Sequence, residues 1–143
     1  MLVSKELRKR LAEEYRYAAT RMQQDANPVK KLFYFSVFFG QAQHVLNLEW
    51  DRDLALIFMI TQQTHTQISA TAQTPALSVL PIQWAAVYDQ LTKTASDLAT
   101  YAEKEEKKGS KEELWEILGR FAEITYAVSG NGSYLHEKGH IKF

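Results

Sequence analysis

The chain has 143 residues, with 17 Lys plus Arg balanced by 17 Asp plus Glu, four His and no Cys. That length suits one domain able to bury roughly two-thirds of its unfolded surface. The absence of Cys excludes disulfide scaffolds, thiolate nucleophiles and Cys-based zinc or iron–sulfur sites.

The first helix is expected to begin at Ser4 as N-cap, with Leu7, Leu11, Tyr15, Ala18 and Met22 recurring on one face. Asn27-Pro28 reads as the cap and first turn of a second helix reaching about Leu46. It carries Phe33, Tyr34, Phe35, Phe38 and Phe39 and looks apolar on nearly all sides, as a central helix would. Gly40 in its middle is unfavourable by about 1 kcal/mol against Ala, which close helix contact would offset.

A third helix is expected from Asp51 through Leu54, Ile57, Phe58, Thr61, His65, Ile68 and Ala72. Pro75 and Pro81 punctuate the loop that follows. Trp84, Tyr88, Leu91, Ala95, Leu98 and Ala102 define the fourth helix, which ends in the charged run 103–108. Ser110-Lys111-Glu112-Glu113 is a capping box for the fifth, with Leu114, Ile117, Leu118, Phe121 and Val128 on its apolar face. Ser129-Gly130-Asn131-Gly132 stops it. The expectation is therefore an all-α, single-domain bundle of about five helices over residues 1–128. A short irregular tail, 129–143, follows it. Short links should make helices one, two and three antiparallel neighbours.

Neutrality hides an uneven distribution. Residues 1–31 hold eight basic against four acidic groups, a net of +4; residues 32–91 hold one against four, −3; residues 92–143 hold eight against nine, −1. Two arrangements explain a middle block so poor in charge. Either helices two and three form the hub of the bundle, or their hairpin meets another chain, since interface cores are depleted in charge and rich in aromatics. On the second arrangement the contact residues would be Phe33, Phe35, Phe38, Phe39, Trp50, Phe58, Trp84 and Tyr88. The partner would be a second copy or a larger assembly.

Charges from Lys5 onward interrupt any secretory signal, and neither Leu32–Leu48 nor Leu54–Tyr88 has the continuous apolar run of a membrane span. A cytoplasmic protein without membrane contact is expected.

His136-Glu137-Lys138-Gly139-His140 matches H-E-x-x-H, in which two His on one helix face hold zinc while Glu activates water. Its setting argues for a polar tail instead. Gly139 weakens a helix, and the third ligand that usually lies downstream is missing from Ile141-Lys142-Phe143. His44 and His65 should lie about 15 Å apart on an antiparallel hairpin and cannot share an ion. His65, on an apolar face, is expected in the core, with nearby Gln and Thr side chains as partners. No cofactor fingerprint occurs.

On a helical wheel Lys5, Lys9 and Arg16 fall within about 40° of one another, with Arg8 beside them. This basic ridge is a candidate phosphate contact. The leading expectation is a non-enzymatic bundle acting through protein–protein interaction. The alternatives are a nucleic-acid-associated accessory subunit using the basic helix and a metal-dependent hydrolase using the C-terminal motif.

Overall fold

A computed structural model describes residues 1, 3–73, 81–104 and 111–130. These residues form five helices: α1 (Lys5–Gln24), α2 (Pro28–Leu46), α3 (Arg52–Gln73), α4 (Trp84–Glu103) and α5 (Lys111–Ser129). There is no strand among the described residues.

The helix ends follow local chemistry. Ser4 Oγ accepts the Leu7 N–H at 3.4 Å, and Asn27 Oδ1 accepts those of Val29 and Lys30 at 2.9 and 3.4 Å. Asp51 is buried at the head of α3 and its Oδ1 accepts the Leu54 N–H at 2.9 Å. These bonds satisfy donors that a helix start leaves without intrahelical partners. Gly130, at φ +73°, donates its N–H to the Tyr126 carbonyl and ends α5 in a left-handed turn that glycine adopts without strain.

The five helices close into a ring, in the order α1, α2, α3, α5, α4 and back to α1. Tyr15 and Arg21 of α1 bond to Phe38 and Tyr34 of α2, so the pair runs antiparallel. Arg16 and Gln23 of α1 reach Thr100 and Ser96 of α4, again antiparallel. Lys104, just past α4, and Asp97 within it meet Glu113 and Arg120 of α5 in the same sense. An odd ring cannot alternate everywhere. The mismatch falls between α3 and α5, which run parallel, with Thr64 against Thr125 and Thr71 against Val128.

Inside the ring, Tyr15, Phe35, Phe38 and Phe121 are fully buried. Phe35 touches Phe38 and Phe121 with ring centroids 5.7 and 5.5 Å apart. Leu11, Met22, Leu54, Ile57, Leu91, Leu98 and Leu118 surround them.

The hub arrangement is therefore incorrect. α2 occupies one place in the ring, between α1 and α3, and reaches α4 and Phe121 of α5 only through its inward face. Phe35, Phe38, Ala42 and Val45 point inward, whereas Val29 and Phe33 remain 77% and 67% exposed. Residues 33 and 35 lie about 200° apart around a helix, so one enters the core while the other faces out. Nor does Gly40 serve a close helix contact: a Cβ there would meet nothing within 4 Å.

Candidate interaction site

The outer surface of α2 and α3 follows directly from this geometry. Between Leu32 and Leu48, and again between Leu54 and Gln73, the sequence contains no Lys, Arg, Asp or Glu. With both helices in the wall of the ring, that charge-poor sequence becomes charge-poor surface. On α2 the exposed line is Val29, Phe33, Gly40, Gln43, His44 and Asn47. On α3 it is Met59, Gln62, Thr66, Ala70 and Gln73, around a shallow hollow of about 350 Å³ between Met59 and Gln67. Leu48 and Trp50, 61% and 77% exposed, project from the turn between the two helices.

The eight predicted contact residues separate into three groups. Phe33 and Trp50 are outward and exposed. Phe35 and Phe38 belong to the core and are unavailable to a partner, because the inward positions of α2 recur at 35, 38, 42 and 45. Phe39 and Phe58 are half-buried. Trp84 and Tyr88, also half-buried, pack together at 6.0 Å and line a separate hollow of about 790 Å³ between α4 and the α1–α2 turn. Sequence reasoning missed Val29 and Met59, whose exposure shows only when each is placed around its helix, and Leu48, which projects from the turn.

It also missed an aromatic cluster beside this face. The Arg21 guanidinium lies 5.8 Å from the Tyr17 ring and 5.3 Å from the Tyr34 ring, and donates to the Tyr34 hydroxyl at 3.1 Å. Phe33 extends the cluster, edge-on to Tyr34 at 5.5 Å. Tyr and Arg are the residue types enriched where binding energy concentrates.

His65 lies half-buried between Phe35, stacked at 6.4 Å, and Phe39, edge-on at 5.1 Å. Burial lowers its pKa, and a hydrogen bond to the Leu32 backbone partly restores it. His44 is exposed on the outer surface.

The basic ridge of α1 is assembled. Lys5, Arg8, Lys9 and Arg16 line one groove of about 470 Å³ against α4, with Ala12, Ala102 and the carboxylates Glu13 and Glu103 in its lining and Lys104 added from beyond α4. Arg16 is held by Glu103 at 2.5 Å and Thr100 at 2.9 Å, and Lys104 by Glu113 at 2.6 Å. The same end of the ring, where α1 and α3 begin, also gathers carboxylates. Met1 ammonium meets Asp53 at 3.3 Å, and the Ser4 N–H donates to Glu49 at 2.8 Å. Burial, then the carboxylates of Asp53, Glu113 and Asp51, push Tyr101 up to about 12.

His136, Glu137 and His140 lie outside the described residues. Among the described residues, no three His, Asp or Glu side chains are gathered as metal ligands, and no helix is long and apolar enough to cross a membrane. Fold and surface together define an all-α five-helix ring. No protein family, curated protein or solved structure matches the chain.

Proposed function

We propose that this protein acts by protein–protein contact rather than as an enzyme, as a homo-oligomer or a subunit of a larger assembly, through the outer face of α2 and α3. The cytoplasm is the compartment this reading assigns to it. The observation that carries it is the outward placement of two helix faces without a formal charge between Leu32 and Leu48 or between Leu54 and Gln73. Surfaces of small domains normally carry charge over about 25–35% of their residues, and interface cores lose it.

A second copy is the favoured occupant. A two-fold contact sets the same patch against itself, so any charge on it tends to meet its own sign. Gln62, Gln63, Thr66 and Gln67 present groups that both donate and accept, and such a patch can complement itself. The two helices are roughly 30 Å long and about 20 Å across as a pair, or roughly 600 Å² per copy. Doubled, that reaches the lower range of stable interfaces.

Light scattering after size exclusion tests the reading. The parent chain is expected to run as a dimer at high micromolar concentration, and Met59→Glu with Gln62→Glu to shift it to monomer. A strictly monomeric parent overturns the homo-oligomer. Photo-crosslinking from position 33 in cells then tests the larger assembly, which fails if no adduct forms.

A further inference from the structure

The groove between α1 and α4 breaks a local rule of helix electrostatics. The first six residues of α1 are Lys5, Glu6, Leu7, Arg8, Lys9 and Arg10, four cations against one anion. They stand at the positive end of the helix dipole, where anions are favoured and cations are not. Lys5, Arg8 and Lys9 are neighbours on one face, at spacings i, i+3 and i+4, so they also repel one another. None of the three forms an ion pair with a described residue, although Glu6 and Glu13 lie within a turn of them. Arg16 and Lys104, the other cations of the groove, are each already fixed by a carboxylate. A run of positions that works against its own helix, yet converges on one cavity, is where function overrides stability.

We propose that this groove binds neighbouring phosphate groups, supplied either by a free polyphosphate or by a nucleic-acid backbone. Lys5, Arg8 and Lys9 contact the phosphates, with Arg16 and Lys104 as the fixed rim. Of the two carboxylates that also line the groove, Glu103 is already engaged by Arg16. That leaves five cations against one carboxylate, Glu13, without an ion pair to a described residue, before the ion pair of Lys104 is counted. The volume of about 470 Å³ falls in the range of small-ligand sites. Charge density selects the ligand class. Three cations within one helical turn call for an anion with several charges in a short span. Carboxylates on one side of an extended peptide recur only about every 7 Å, with one charge each. Arg8 offers a planar fork and the two lysines offer compact point charges, a pairing suited to phosphate oxygens. The site lies apart from the α2–α3 face, so the two proposals stand or fall separately.

The test is calorimetric titration of the full chain at low salt with inorganic triphosphate, a short oligothymidylate and a glutamate-rich peptide. Triphosphate, oligonucleotide or both should bind, and whichever binds identifies the phosphate source. Reversing Arg8→Glu with Lys9→Glu should weaken that binding by roughly tenfold or more. Lys30→Glu with Lys93→Glu, an equal charge change elsewhere, should alter it less than about twofold. Binding should weaken with added salt. The milder pair Arg8→Gln with Lys9→Gln repeats the measurement should the reversal fail to fold. Neither phosphate probe binding, a glutamate peptide binding as tightly, or equal loss in the control pair overturns the proposal.

Discussion

Tyr15 and Phe38 are joined twice across the α1–α2 contact. The Tyr15 hydroxyl donates to the Phe38 backbone carbonyl at 2.8 Å, and the two rings pack with centroids 4.6 Å apart. The phenol is fully buried, so its hydroxyl has no water to bond instead.

Removing that hydroxyl should be costly but not fatal. Tyr15→Phe keeps the ring packing and leaves the Phe38 carbonyl its helical partner, so a loss of about 0.5–1.5 kcal/mol is expected in urea unfolding. Burial pushes the Tyr15 pKa far up. The raised value means its contribution is complete below about pH 10, where an unfolded tyrosine ionises, and declines as pH rises beyond it. Absorbance of phenolate should therefore show one tyrosine ionising only together with loss of helix. A Tyr15 that titrates within an intact fold contradicts the packing described.

Gly40 makes the opposite case. It is exposed in mid-helix, and an added Cβ would meet nothing within 4 Å. Gly40→Ala should stabilise the chain by about 0.5–1 kcal/mol, because alanine has less freedom to lose on folding. Thermal melting at low concentration measures it. If dimerisation needs backbones to approach closely at this point, the same change raises the melting temperature while weakening self-association.

His65 predicts an acid-side slope. Its pKa is lowered from 6.5, chiefly by burial, so the fold favours the neutral ring. An unfolded chain takes up the proton first as pH falls. The stability His65 contributes is whole above about pH 6.5 and is lost as pH falls through the lower, folded value. Unfolding free energies should decline as pH falls below about 6.5, and His65→Phe should flatten that decline. An unchanged slope would assign it to other groups.

What the sequence disclosed depended on distance along the chain. Asn27-Pro28 and Ser4 announced their helices because capping is settled within four residues. The inward residues of α1 and α4 were legible for a similar reason, since periodicity is local. The position of α2 was not. Counting its phenylalanines without their angles made a wall helix look like a hub, and put Phe35 and Phe38 on a surface they do not reach. Closure of α1 against α4 joins Arg16 to Glu103, 87 positions apart, and nothing local encodes that pairing. Lys104 stood out only as one residue of the charged run 103–108 for this reason, although it borders the basic groove. The ridge of Lys5, Arg8, Lys9 and Arg16 was readable, because all four residues share one helix.

The parallel packing of α3 on α5 makes closure of the ring depend on one helix. In the ring α5 sits between α3 and α4, so the first four helices alone can form only an open arc. Along that gap Thr64 and Thr71 of α3 would meet water instead of Thr125 and the Val128 carbonyl, and Phe121 would be missing from beside Phe35. α5 is thus a keystone. Removing α5 from the ring would therefore uncover Phe35 and two buried threonines of α3 at once, so the closing contacts of the bundle are held by its last described helix.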